Sequence, residues 1–375
     1  MNYYLLPKNN ISLQFNNFFF ETNVETFTSH SLKHFVNNIE GQLKYIDSSI
    51  LSKFQNVVNT YEYIFSNVTP YTFSVSKVKP ESNVFYELIE IFHTLNLNDL
   101  FIHKNKISTL HATHNYSSSI FFINVVREDK ADEFEYSDFH FLKEDLFQDK
   151  QFDFIFFEFH KEEYNDLKKY SENMINALYY VVKYQMIEGT TIFKIDYIFY
   201  KIIVDIIYLL SNVFEKVYIF KPSVCNIMLG ERYIVCKNFS PNNISLQEMQ
   251  DHLNEIIIHL KQEKEKTIYS LLKNSIPYYF INKIEESNIV LGQHQLESLS
   301  LLINLIKNKN KEDKVEMIKR SHIQKCIHWC EKYKIPHNKF TDKTNIFLNI
   351  KNTKENNSSD DDEYPDEPME YEEEI

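Results

Sequence analysis

The sequence predicts an α/β fold, with a mixed sheet in the middle of the chain and helical extensions on both sides. Three observations predict it. Strand-like and helix-like segments alternate between residues 106 and 236, which is typical of a sheet with parallel strands. The last two strands are separated by a loop too short for a crossover helix, so they should pair antiparallel. Outside this region apolar residues recur at helical spacing.

The strands are predicted from short apolar runs. Residues 152–157 (FDFIFF) are apolar almost throughout, as strands buried on both faces are. Further strands are predicted over 106–110, 190–195, 216–220 and 232–236. The run 119–126 is long enough for a buried strand or a short helix, and periodicity does not decide between them. An eleven-residue loop joins the last two strands, which should form an antiparallel hairpin at the end of the sheet.

Helical periodicity connects and flanks these strands. Helices are predicted over 31–65, 82–92, 172–186, 199–214, 248–266, 295–307 and 313–333, with Ser82 as an N-cap and Gly189 as a C-cap. We therefore divide the chain into a helical leader (1–80), a central α/β domain (81–244), a helical C-terminal region (245–345) and an acidic tail (346–375).

Glycine is scarce in this chain. There are four glycines among 375 residues, where an average composition would give roughly 26. Because Gly41, Gly189, Gly230 and Gly292 are far apart, the sequence contains neither a Walker P-loop nor a GxGxxG motif. Bulky aromatic residues are abundant instead, with 31 Phe and 25 Tyr. A nucleotide site in this protein has to form without glycine.

The acidic charge is concentrated at the C-terminus. The net charge is −13, and residues 355–375 alone hold 11 acidic side chains and no Lys or Arg. This composition predicts a solvated, disordered extension. It is either a solubilising tail or an electrostatic decoy that covers a basic groove. A basic stretch is present upstream, where residues 307–343 hold 11 Lys/Arg against 5 acids. Trp329, Tyr333 and Phe340 are interleaved in that stretch, which either binds RNA or is a solvated helix face.

The cysteine and apolar patterns predict an intracellular protein without a membrane segment. Four cysteines are too few and too scattered for a disulfide framework. The N-terminus lacks an uninterrupted apolar signal core, and charged residues interrupt the most apolar run, 195–210. His322, Cys326 and Cys330 are spaced by four residues and could align as zinc ligands, but buried thiols on a helix are the commoner case. No metal is predicted.

Two segments show a more specific pattern. Lys194 ends the strand TIFK, and one helix and one strand later residues 221–236 read KPSVCNIMLGERYIVC. This pattern resembles the FtsJ-type ribose 2′-O-methyltransferases, including the cap-modifying members of large DNA viruses. The matching features are a Lys at a strand end, then Lys-Pro, a polar loop and Glu-x-Tyr-apolar-Val. The resemblance covers about residues 189–239, and the helix at 82–91 is similar to the family helix before the cofactor strand. It implies a Rossmann-like methyltransferase sheet, RNA (for example capped mRNA) as substrate and S-adenosylmethionine as cofactor.

The resemblance also implies roles for individual residues. Lys194 takes the part of the general base that removes the proton of the ribose hydroxyl, and Glu231 positions it. A lysine suits this role when desolvation or a neighbouring cation lowers its pKa. Glu158, directly after the strand at 152–157, is the nearest match to the catalytic Asp of the family. The cofactor loop of the family corresponds to a stretch that includes His111, Ala112, Asn115 and Ser117.

The sequence departs from the family pattern at two places. The first catalytic Lys of the family falls near Tyr86 or Glu87, and neither is basic. The cofactor loop, HATHNYSSS, has no glycine, although the family uses a glycine-rich turn to bring the backbone close to the cofactor. Three functions are therefore open: an active RNA 2′-O-methyltransferase, a catalytically inactive relative that binds RNA or acts as a scaffolding subunit beside a partner protein, and an α/β interaction protein whose resemblance is accidental.

Overall fold

A seven-stranded mixed sheet lies at the centre of the structure, a computed structural model. The structure describes residues 3–8, 14–21, 24–97, 101, 103–128, 130–139, 147, 150–159, 166–241, 245–262, 266–308, 312–338 and 340. The strands of the sheet are β1 (Tyr3–Leu5), β3 (Ser108–Ala112), β4 (Glu133–Ser137), β5 (Phe152–Glu158), β6 (Gln185–Ile195), β7 (Phe214–Phe220) and β8 (Arg232–Phe239). Their order across the sheet is β1-β7-β8-β6-β5-β3-β4.

The sheet combines a parallel half with an antiparallel half. β4, β3, β5 and β6 are parallel neighbours. β8 runs antiparallel between β6 and β7, and β1 adds an antiparallel strand beyond β7. In this register Lys194 on β6 is opposite both Glu158 on β5 and Tyr233 on β8. The predicted α/β class and the antiparallel pairing of the last two strands are confirmed.

Nine α-helices surround the sheet in the described parts of the chain. They are α1 (His30–Leu43), α2 (Ser48–Val58), α3 (Val84–Thr94), α4 (Tyr116–Arg127), α5 (Leu167–Tyr184), α6 (Lys201–Val213), α7 (Leu246–Gln262), α8 (Tyr278–Lys307) and α9 (Glu312–Lys332). α1 and α2 pack on α8, and α9 packs on α2 and on a 3-10 turn, Glu62–Ile64. The run at 119–126, left open between strand and helix, forms part of α4.

Burial explains the positions of the central elements. Every residue of β5 is buried, as expected for a strand covered on both faces. α6 is buried from Ile202 to Val213 because the sheet packs on one side of it and β9 (Thr267–Leu272) on another. α5 begins at an N-cap, Asp166, whose carboxylate accepts hydrogen bonds from the backbone N–H groups of Lys168 and Lys169.

A second, two-stranded sheet packs beside α6. It consists of β2 (Phe15–Glu21) and β9, which pair antiparallel. The buried carboxylate of Asp205 on α6 holds β9: its Oδ2 accepts from the hydroxyl of Ser270 at 2.7 Å and from the backbone N–H of Leu271 at 2.9 Å. Lys201, one helical turn earlier, pairs with the same carboxylate. Burial tends to raise the pKa of Asp205, and these donors oppose that rise.

Several predicted elements differ from the observed ones. β9 lies in the region predicted to be helical throughout, whereas β1 and β2 lie within residues 1–30, which read as extended chain in the sequence. The hairpin of β7 and β8 is not the end of the sheet, because β1 pairs on the far side of β7. The C-cap predicted at Gly189 is wrong: α5 ends at Tyr184 and Gly189 lies inside β6. A Cβ at Gly189 would meet the carbonyl oxygens of Met186 and Asp153 at 2.8 and 2.9 Å, so this position requires glycine for close packing.

Residues 1–338 form one compact unit, and its main core packs helices of the flanking regions against the central sheet. The acidic tail predicted at 346–375 lies outside the described residues. In the part of the chain that the structure describes, every helix is too short or too polar to cross a bilayer.

Candidate functional site

A cleft opens at the carboxyl ends of β5 and β6. Its volume is about 360 Å³, within the range typical of small-molecule sites. The described residues that line it are Asn59, Glu62, Ser82, Asn83, Val84, Glu87, His114, Asn115, Glu158, Phe159, Lys194, Asn226, Leu229 and Glu231. Strand ends, the start of α3 and the loop before β8 meet here because parallel strands end at the same edge of a sheet. Ligands of open α/β sheets bind at this edge.

One buried ammonium lies among three carboxylates in this cleft. Lys194 Nζ is 2.9 Å from Glu87 Oε2, 3.2 Å from Glu158 Oε1 and 3.9 Å from Glu231 Oε2. All four side chains are at most one-tenth exposed. The structure therefore brings together Lys194, Glu158 and Glu231, the three residues predicted as catalytic.

The carboxylates determine the protonation state of Lys194. Burial alone lowers the pKa of a lysine, but the charges of Glu87, Glu158 and Glu231 outweigh it and raise the pKa of Lys194 well above its usual range. Burial alone would raise the pKa of Glu158, but the Lys194 ammonium and two hydrogen bonds hold it below its usual value. Lys194 is therefore a cation and Glu158 an anion, and the two form a buried salt bridge.

Two further groups complete the buried side of the cluster. The hydroxyl of Tyr233 donates a hydrogen bond to Glu87 Oε2, the same oxygen that Lys194 contacts. Cys225 lies close enough for Glu87 and Lys194 to affect its pKa, which burial raises well above the usual range. That thiol is therefore protonated and inert as a nucleophile.

The loop after β3 contacts the cluster through Glu158. Thr113 Oγ1 donates to Glu158 Oε2 at 2.6 Å, and Asn115 Nδ2 donates to the same oxygen at 2.9 Å. The backbone N–H of Asn115 in turn donates to Thr113 Oγ1. The polar groups of this loop are thus used to hold a carboxylate of the protein.

The residues predicted to bind the cofactor do not gather in one place. Asn115 lines the cleft. His111 and Ala112 lie inside β3 and are fully buried, and the ring of His111 bonds to the hydroxyls of Thr109 and Ser119. Burial lowers the pKa of His111 to about 3, so its imidazole is neutral. Ser117 donates to Glu81 at the surface.

The side chains present do not fit S-adenosylmethionine in the manner that the resemblance implies. The carboxylate end of that cofactor needs hydrogen-bond donors, and the donors of Thr113 and Asn115 already bind Glu158. Glu62 adds a fourth carboxylate to the lining, where Lys194 is the one Lys or Arg among the described lining residues. These carboxylates would repel the carboxylate of the cofactor, although they would attract its ammonium and sulfonium groups.

The most important residue that the sequence left unassigned is Glu87. It lies in the first turn of α3, is 3% exposed and is surrounded there by buried apolar residues. A buried acid in an apolar segment requires a charged partner, and this requirement was a usable signal. The partner, Lys194, is 107 residues away in sequence, so the sequence did not identify it.

The His322, Cys326 and Cys330 group has a packing role. All three side chains are buried in α9, and the Cys326 thiol contacts the carbonyl oxygen of Thr60 at 3.6 Å. Burial raises the pKa of Cys330 to about 12, so this thiol stays protonated. Among the residues that the structure describes, no cluster of His, Cys, Asp and Glu has the geometry of a metal site.

Neither the protein-family models nor the curated proteins compared with this chain gave a match.

Proposed function

We propose that this protein is a catalytically inactive relative of the FtsJ-type ribose 2′-O-methyltransferases that binds RNA without methylating it. The observation that supports this most directly is the set of three carboxylates around Lys194. A general base works best when its pKa is near the operating pH. The raised pKa of Lys194 keeps it protonated, so it cannot accept the proton of a ribose hydroxyl.

The relation to methyltransferases is supported by the sheet. A strand inserted antiparallel between two parallel ones, as β8 is between β6 and β7, is also part of the sheets of these enzymes. The residues that match the family motif also converge at one edge of that sheet. The resemblance expects a lysine near Tyr86 or Glu87, and a lysine in place of Glu87 would lower the pKa of Lys194 instead of raising it.

The charge of the cleft also argues against RNA as its occupant. Four carboxylates line it, and Lys194 is the one Lys or Arg among the described lining residues. The carboxylates are those of Glu62, Glu87, Glu158 and Glu231. RNA phosphates bind where positive charge accumulates. RNA bound by this protein should therefore contact another surface.

An active RNA 2′-O-methyltransferase is the second candidate. One observation favours it. The carboxylates of Glu158 and Glu231 both lie within 4 Å of the Lys194 ammonium, at the edge of the sheet where α/β enzymes bind ligands. In that case the protonated Lys194 would orient the ribose hydroxyl, and S-adenosylmethionine would supply the methyl group.

Two measurements on the full chain separate these functions. Isothermal titration with S-adenosylmethionine should give no heat of binding, and incubation of the protein with labelled cofactor and capped RNA should give no methylated RNA. Binding at micromolar concentration, together with methyl transfer that Lys194→Ala abolishes, would contradict the proposal and establish the active enzyme.

A further inference from the structure

A second cavity, about 620 Å³ in volume, lies along α9. It is lined by Tyr61, Ser223, Ser321, Gln324, Lys325, His328, Trp329, Lys332 and Tyr333. Most of these residues belong to α9 or follow it directly. α9 lies outside the segment that resembles a methyltransferase, so the resemblance assigns no role to this cavity.

The cavity has positive charge that the described residues leave unpaired. Lys325 and Lys332, two helical turns apart on one face of α9, form no ion pair with a carboxylate in the described part of the chain. His328 lies between them and is 3.9 Å from Glu331. No Asp or Glu is among the described residues that line this cavity, in contrast to the four carboxylates of the first cleft. The occupant should therefore carry negative charge.

Aromatic side chains form the other part of the lining. The rings of Trp329 and Tyr333 are 4.6 Å apart and nearly buried, so they make a rigid floor. Lys332 Nζ lies 4.8 Å from the centre of the Tyr333 ring. Tyr61 is half-buried and faces the same cavity. Tyr61 is the most accessible of these rings, and an accessible aromatic ring binds a planar base by stacking.

Glu90 holds the walls of this cavity in place. Its carboxylate accepts hydrogen bonds from the indole N–H of Trp329 at 3.0 Å and from the backbone N–H and hydroxyl of Ser223, both at 2.8 Å. It also accepts from the backbone N–H of Val224 at 3.4 Å. Because Glu90 binds these donors beneath the floor, it does not form an ion pair with either cavity lysine. The site is preorganised, which reduces the entropic cost of binding.

The two cavities are neighbours with opposite charge. Glu87 on α3 lines the first cleft, and Glu90, one turn later, accepts a hydrogen bond from Trp329 in the lining of the second cavity. Tyr61 lines the second cavity, and Glu62, the next residue in sequence, lines the first cleft. A strand of RNA excluded from the first cleft by its carboxylates has an adjacent cationic and aromatic surface available.

We propose that the second cavity binds one nucleotide unit of single-stranded RNA, with its phosphate at Lys325 and Lys332 and its base against Tyr61 and the aromatic floor. The volume suits a ligand of nucleotide size, and the lining combines the two features that single-strand sites share, positive charge and aromatic stacking. This inference rests on the RNA-binding part of the proposed function, and it does not depend on whether the Lys194 cleft is active.

The test is fluorescence anisotropy of a labelled single-stranded oligoribonucleotide with the full-length protein. Replacing both cavity lysines (Lys325→Gln with Lys332→Gln) should weaken binding at least about tenfold at low salt. It should also reduce the slope of log affinity against log salt by about 1.4, the value for two phosphate contacts in a single strand. The matched control removes the same charge from exposed lysines outside the cavity, Lys307→Gln with Lys314→Gln, and should change affinity less than about twofold.

A third variant tests the stacking part separately. Tyr61→Leu should weaken binding at least about fivefold and leave the salt slope unchanged, because stacking releases no counterions. Equal weakening by the cavity pair and the control pair would overturn this inference and leave the proposed function standing. Absence of RNA binding by the unaltered protein would overturn both. Thermal unfolding of each variant shows whether a loss of binding is a loss of folding.

Discussion

Glu87 Oε2 lies 2.9 Å from Lys194 Nζ, and the resemblance places the first lysine of its motif near Tyr86 or Glu87. This contact determines the direction in which the pKa of Lys194 shifts. A lysine neighbour would lower the pKa of Lys194 toward the range of a general base, whereas a carboxylate neighbour raises it. The cluster then ties α3 to the ends of β5 and β6 and to the residue before β8, so its role in stability can be tested independently of any activity.

Removing the cation should strongly destabilise the fold. Lys194→Met leaves three carboxylates buried without their ammonium, so we expect the free energy of unfolding in urea to fall by about 3–5 kcal/mol. The matched control is Lys283→Met, which breaks an exposed pair with Glu286 (2.7 Å) and should cost about 0–1 kcal/mol. Equal losses for the two variants would show that the cluster does not stabilise the protein.

The stability of the cluster should depend on pH in a defined direction. The pKa of Glu158 is lower in the folded protein than its ordinary value of 4.5, so its contribution is present above about pH 4.5 and is lost as the pH falls through the folded-state value. The pKa of Lys194 is raised above 10.5, so its contribution is present below that pH and is lost only in strong alkali.

The variant Glu158→Gln tests the loss of stability at acid pH. At pH 7 it should lower the free energy of unfolding by about 2 kcal/mol, because a buried charged hydrogen-bond partner is lost. The difference from the unaltered protein should shrink as the pH falls below about 4.5, because Glu158 then becomes neutral in both folded and unfolded states. Urea unfolding at a series of pH values measures it, and a difference that stays constant down to pH 3 would contradict the ionised cluster.

Two glycines should respond in opposite ways to the same substitution. Gly189→Ala places a methyl group against two carbonyl oxygens inside β6, so we expect it to lower the free energy of unfolding by about 1–3 kcal/mol. Gly41 lies in α1 with no atom within 4 Å of an added Cβ, and Gly41→Ala should raise that free energy by about 0.5–1 kcal/mol. Chemical denaturation compares them directly, and a neutral Gly189→Ala would show that β6 has room for a side chain.

Much of the central sheet followed from local patterns in the sequence. The strand at 152–157 was identified because it is apolar almost throughout, and the β7–β8 hairpin because eleven residues cannot hold a crossover helix. The proximity of Lys194 and Glu231 was expected from the resemblance, in which Glu231 positions Lys194. The structure places their charged atoms 3.9 Å apart.

Other features depend on contacts between segments far apart in the chain. β9 has a short pattern that suits either a helix or a strand, and it is a strand because β2 pairs with it and Asp205 bonds to it. His111 and Asn115 are four residues apart in the same loop region, yet one ring is buried in the core and one amide reaches the cleft. Local periodicity does not contain this information.

The sequence by itself therefore determined the α/β class and the main strands, because periodicity and connection length act over a few residues. Only the tertiary structure decided the protonation state of Lys194 and the contrast in charge between the two cavities. A pKa depends on every charge within a few ångströms, and here those charges come from segments that are distant in sequence.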